Sequence, residues 1–139
     1  MSDGMDAKEL RELSKCASRQ VQQEPAVYTG CAPVSSLLET LLNEMGVAHR
    51  RVFGVVETNR KEKVGHSWIE VGDVVLETNP SQVLGLDYGV MAMAKDTWVS
   101  MTNPKESVHP CPEILQPTDA GRKFYQEQAK DIISCLRRL

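Results

Sequence analysis

Hydrophobic positions recur every three or four residues in three stretches of this chain, and every second residue in shorter stretches between them. Between residues 6 and 21, Ala7, Leu10, Leu13, Ala17 and Val21 share one side, with Lys, Glu and Arg on the other, which predicts an amphipathic helix. From Cys31 onward the apolar positions are Val34, Leu37, Leu38, Leu41, Leu42 and Met45, while Ser35, Ser36, Glu39, Thr40, Asn43 and Glu44 fill the opposite face. This spacing predicts a helix over 31–45 with one buried stripe. Pro33 fits a first turn, where its missing N–H costs no bond. Gly46 suits a left-handed cap, with Val47 as the apolar contact behind it.

Alternation takes over at Val47–Glu57, at Val64–Val71 and at Val74–Thr78, three predicted strands. With Gly72-Asp73 as a hairpin loop, Val71 faces Val74, Trp68 faces Glu77 and His66 faces Asn79. The pattern then weakens. Residues 84–95 read as a loop with a short helix, and 96–101 as a fourth strand. Residues 103–117 hold Pro104, Pro110, Pro112 and Pro117, an extended connection. Thr118 or Asp119 caps a last helix to about Arg138, with Phe124, Ile132, Ile133 and Leu136 inward. Helices segregated from an antiparallel sheet predict an α+β fold, in a single domain over 1–139.

Composition narrows the functional classes. The 139 residues are 41% hydrophobic and 25% charged, with net charge −3, which argues against a nucleic-acid footprint. Arg50-Arg51, Arg60-Lys61 and Arg137-Arg138 read as solvated faces. No apolar run approaches the ~20 residues of a membrane span, and the acidic start Met-Ser-Asp-Gly-Met-Asp is unlike a secretory signal. Cys16, Cys31, Cys111 and Cys135 have no paired spacing. They are therefore expected as reduced thiols of a cytoplasmic protein, with Cys16 and Cys135 as packing residues. His109-Pro110-Cys111-Pro112 lacks a second ligand pair at zinc spacing, so neither metal nor cofactor is expected.

Cys31 opens a helix, where unpaired N–H groups and the positive dipole end favour thiolate, the reactive form. A thiol nucleophile needs a base, and the base an orienting partner. Downstream stand His66 in Gly65-His66-Ser67-Trp68-Ile69-Glu70-Val71, then Glu77 and Asn79 in Val75-Leu76-Glu77-Thr78-Asn79-Pro80. Strand alternation puts His66, Trp68 and Glu70 on one face, shared by Val75, Glu77 and Asn79 across the hairpin. Asn79 is then opposite His66 and Glu77 diagonal to it. Trp68 is expected in the core or as a wall of the site, and Glu70 on the surface.

Tyr28-Thr29-Gly30-Cys31, its apolar helix and the exit Met45-Gly46-Val47-Ala48-His49-Arg50-Arg51-Val52 resemble the cysteine segment of the transglutaminase-like superfamily. The His66 strand resembles that family's histidine strand. Glu77, three residues before Pro80, stands where the family has an aspartate. The resemblance covers residues 28 to about 82, and the order Cys, His, acid is also that of the wider papain-like group. Two departures stand out. Ala32-Pro33 follows the cysteine where many members have an aromatic residue, and the acid is Glu. The third role thus falls to Glu77 or, as an asparagine serves in papain-like enzymes, to Asn79.

The resemblance implies a papain-like α+β core and a cysteine-dependent hydrolase or acyl transferase. Its substrates would be peptides or protein glutamine side chains, processed through a thioester, with peptidase or deamidase action favoured over cross-linking. Cys31 would be nucleophile, His66 base and then acid, and Glu77 (or Asn79) the orienter. The oxyanion would meet the Cys31 backbone N–H and a side chain such as Gln22, Gln23 or Tyr28, with Trp68 beside the substrate. Calcium is not implied. The competing expectation is a non-catalytic protein-binding module on the same fold.

Overall fold

The computed structural model describes residues 5–25, 30–107 and 117–139. Helix α1, Ala7–Gln23, starts at a capping box: the Asp6 side chain accepts from the Glu9 N–H, and the Glu9 side chain accepts from the Asp6 N–H. This satisfies two of the donors that a helix start leaves open. Its apolar side, Leu10, Leu13, Ala17 and Val21, is buried as the spacing requires.

Helix α2, Cys31–Glu44, buries Val34, Leu37, Leu38, Leu41 and Leu42 almost completely. Gly46 follows at φ 69°, the left-handed region where a side chain is disfavoured. The Val47 N–H then donates to the Leu42 carbonyl, so the next ladder begins at Arg50 rather than at Val47. Ser35 and Ser36, placed by pattern on an outer face, are buried as well. The reason is that α2 lies between the sheet and the C-terminal helix and packs on both.

Strands β1 (Arg50–Glu57), β2 (Lys63–Val71) and β3 (Val74–Glu77) form an antiparallel meander. The hairpin register is the expected one: Val71 faces Val74, Glu70 faces Val75 and Ile69 faces Leu76. A short helix α3 (Pro80–Leu84) precedes β4 (Met91–Ala94), which pairs with β3. The stretch 96–101, read as a strand from its β-prone residues, is helical instead: α4 spans Lys95–Thr102. It buries only Trp98 and Thr102, four residues apart on one helical face. The fourth strand lies just before it, in Met91–Ala94. Two-residue β5 (Lys105–Glu106) pairs with the other side of β1. The sheet order is β4-β3-β2-β1-β5. Helix α5, Asp119–Arg137, is capped by Thr118, whose Oγ1 accepts from the Gly121 N–H.

Two cores result. On one sheet face α1, α2 and α5 pack with Ile69, Val71, Leu76 and Val90. On the other, Val52, Val56, Trp68 and Val75 meet Val83 and Leu84 from the α3 segment and Trp98 from α4. The class is α+β, with a main helical layer and a smaller second cover.

Two further expectations are corrected. Cys16 and Cys135 are joined in a disulfide that ties α1 to α5, their Cα atoms 5.9 Å apart and 119 residues apart in sequence. Such a bond constrains the unfolded chain and contributes about 2–4 kcal/mol. It also removes the ground for a reduced, cytoplasmic reading, since reducing compartments rarely maintain such pairs. Arg51 is the second correction: its side chain is 8% exposed and lies under α2, not on a solvated face. Among the described residues, no helix is long and apolar enough to cross a membrane.

Candidate active site

His66 and Glu77 come from adjacent strands and are both completely buried. The Glu77 carboxylate receives His66 Nε2 at 2.9 Å on Oε1 and 3.0 Å on Oε2. A carboxylate only accepts, so this contact places a ring proton on Nε2. Two further donors hold Glu77: Trp98 Nε1–H on Oε1 at 3.1 Å and the Asn79 backbone N–H on Oε2. Each carboxylate oxygen thus has a donor besides the imidazole. Trp68 lies 6.0 Å from the His66 ring, near-parallel to it, and Trp98 packs against Trp68 at 4.9 Å. The two indoles help to bury the pair, Trp98 at the carboxylate and Trp68 beside the ring.

Burial by itself would lower the pKa of His66. The charge of Glu77 and the hydrogen bonds with Cys31 and Glu77 overcome it and push the value up to about 9. The ring is therefore an imidazolium at neutral pH.

Cys31 opens α2 behind Gly30 and is partly exposed. Burial would raise its pKa, yet a hydrogen bond with His66, the imidazolium charge and the Ser67 backbone N–H together bring it below the ordinary thiol value. With Nε2 taken by Glu77, Nδ1 is the nitrogen through which His66 can meet the thiol. Nδ1 is buried and, among the described residues, has no partner in good hydrogen-bond geometry. The thiol and the imidazole are therefore close enough to shift each other's pKa without a well-aligned hydrogen bond between them.

Ser67 links the two sides. Its carbonyl accepts from Ser35 Oγ on α2 at 3.2 Å and from Thr78 Oγ1 beyond β3. Cys31, His66 and Glu77 are thereby brought together as a thiol, an imidazole and a carboxylate in sequence.

Other predicted residues go elsewhere. The Asn79 side chain caps α3, its Oδ1 accepting from the Gln82 N–H at 3.4 Å and its Nδ2 donating to Gln82 Oε1 at 3.2 Å. The β2–β3 ladder ends at Ile69–Leu76, so Asn79 turns away and only its backbone serves Glu77. Trp68 is 2% exposed, a wall behind the imidazole rather than a surface for substrate. Gln23 ends α1, exposed, and borders a depression with Arg19, Gln20, Asp131 and Arg138. Tyr28, and the His109–Cys111 pair, lie outside the described residues. Glu70 is not a bare surface carboxylate, since it holds Arg50, Lys95 and the Trp68 indole. Trp98 was missed, because a reading of 96–101 as a strand gives no reason to aim it at Glu77. Its signal was the indole at the i position of an i, i+4 pair with Thr102.

Among the described residues no group of three His, Cys, Asp or Glu side chains converges as if to hold a metal ion. Comparison with protein-family models, with curated proteins and with solved structures finds no match to this chain.

Proposed function

We propose that this domain is a cysteine-dependent amide hydrolase or acyl transferase of the transglutaminase-like kind, with a papain-like core. Its substrates are peptides or protein glutamine side chains, and it acts as a peptidase or deamidase rather than a cross-linker. The observation that carries this reading is the buried His66–Glu77 pair with Cys31 as its partner on the far side. A structural histidine does not need a matched carboxylate, two indole walls and a thiol held below its ordinary pKa.

The chemistry follows from those positions. The Cys31 thiolate attacks the amide carbonyl carbon and forms the C–S bond. The oxyanion meets the Cys31 backbone N–H at the open start of α2. The His66 imidazolium gives its proton to the departing nitrogen as the C–N bond breaks, releasing ammonia from a glutamine or an amine from a peptide. Neutral His66 then takes a proton from water, whose oxygen attacks the thioester. The carboxylic acid leaves, and the thiolate–imidazolium pair is restored. Glu77 keeps the ring oriented and stabilises its charge throughout. The partly covered Cys31 favours water, a small acceptor, over a protein amine.

The test is acid-quenched mass spectrometry after incubation with glutamine-containing peptides, together with assays of ammonia release and peptide cleavage. An acyl adduct on Cys31, absent from Cys31→Ala, is expected. No adduct and no product over a broad peptide set would overturn the reading and favour a binding module.

A further inference from the structure

Arg51, on β1, has no part in the chemistry described so far. Its guanidinium Nη2 donates to the Ala32 carbonyl at 3.4 Å, Nη1 to Ser36 Oγ at 3.2 Å, and Nε to Ser67 Oγ at 3.3 Å. Ala32 directly follows Cys31, and Ser67 directly follows His66. One planar group therefore spans the first turn of α2 and the strand that carries the imidazole.

That first turn needs an outside anchor. Its N-cap, Gly30, makes no side-chain cap bond. Pro33 has no N–H, and the Val34 N–H to Gly30 carbonyl contact is long, at 3.5 Å. A turn so loosely closed does not by itself fix where a thiol points. The guanidinium is suited to fixing it, because its donors form a rigid fork that can reach several acceptors at set angles. Among the described residues, the charged and titratable groups facing it are Glu39 on α2, 3.7 Å from Nη1, Arg122 on α5, which lines the same depression, and Tyr125 on α5, whose pKa burial raises and the Arg51 charge lowers.

We propose that Arg51 is a positioning residue, which sets the Cys31 thiol against the His66 imidazole by clamping the first turn of α2 to β2. The proposal rests on the catalytic reading above. It assigns Arg51 no contact with substrate.

The test is iodoacetamide alkylation of Cys31 against pH, with Cys111 replaced by serine, in Arg51→Lys, in the double variant Ser36→Ala/Ser67→Ala, and in the parent. Thermal melts and near-UV circular dichroism at the assay temperature report folding. Lysine keeps the charge and loses the fork. In Arg51→Lys the alkylation midpoint should rise by a pH unit or more, so that the rate at neutral pH falls about tenfold. The double variant, which keeps Arg51, should shift in the same direction by less.

A residue that only stabilises the fold would lower the melting temperature and leave this pH profile alone. Parent-like profiles in both folded variants would therefore overturn the proposal. If Arg51→Lys does not fold, the double variant decides alone. An ordinary midpoint in the parent, unmoved by His66→Ala, would overturn the catalytic reading itself, and this one with it.

Discussion

Glu77 and Glu70 stand on the same face of the β2–β3 hairpin, and each accepts an indole N–H, from Trp98 and from Trp68. Their other partners differ. Glu70 holds Arg50 at 3.0 Å and Lys95 at 3.2 Å, side chains that are 53% and 40% exposed. Burial raises its pKa, but the bonds from Trp68, Arg50 and Lys95 hold it below the ordinary carboxylate value. Among the described residues, Glu77 has no water-facing cation. Its positive partner is His66, and both side chains are completely buried. Exposed pairs on flexible stems contribute little to stability. A buried carboxylate must be matched, and whatever matches it is forced to stay charged. The same residue type on the same surface thus makes a strut at one end of the hairpin and a proton-holding device at the other.

The sharpest way to break the comparison is to remove each carboxylate. Glu77→Ala leaves the imidazole, the Trp98 N–H and the Asn79 N–H without an acceptor. It should cost about 3–5 kcal/mol in urea unfolding, and the Cys31 thiol should lose its depressed pKa.

pH sharpens the contrast next. The folded pKa of His66, about 9, lies above its ordinary 6.5. Its contribution to stability is therefore complete below pH 6.5 and is lost as pH rises through 9. Cys31, shifted the other way, gains over part of that range, so the His66 contribution is best seen in Cys31→Ala. That variant also removes the hydrogen bond and charge that Cys31 supplies to His66, so the fall in stability, now carried by Glu77, should come at lower pH than 9, and Glu77→Gln should flatten that slope.

Trp98→Phe keeps the ring packing and removes one donor from Glu77. About 1 kcal/mol of stability should be lost, with a small upward move of the thiol midpoint. The smallest effect belongs to Glu70→Gln. It should cost less than ~1 kcal/mol at low salt and less still at 0.5 M salt, with the thiol profile unchanged.

Much of this was legible in the chain, for physical reasons. The hairpin register followed from Gly72-Asp73, because strand pairing is fixed once its loop is set. That register put Glu77 on the His66 face. Periodicity found α1, α2 and α5, each long enough for its stripe to show. Other features escaped, and three of them show why. α4 has eight residues and buries only Trp98 and Thr102, too few for a helical period to outweigh β-prone Trp98 and Val99. The Cys16–Cys135 bond joins residues at opposite ends of the chain, where spacing carries no signal. The choice between Glu77 and Asn79 depended on where the β2–β3 ladder stops. Pro80 decided it: a proline at the start of α3 makes Asn79 a cap, and the longer Glu77 is left to reach the ring.

The most direct measurement is the rate of Cys31 alkylation by iodoacetamide against pH in the Cys111→Ser background, with the Cys16–Cys135 disulfide intact, compared with the same chain carrying His66→Ala. A midpoint well below the ordinary ~8.5 of a free thiol, returning upward when His66 is removed, is the predicted result. An ordinary midpoint that His66→Ala does not move would contradict the thiolate–imidazolium pair on which the proposed chemistry rests.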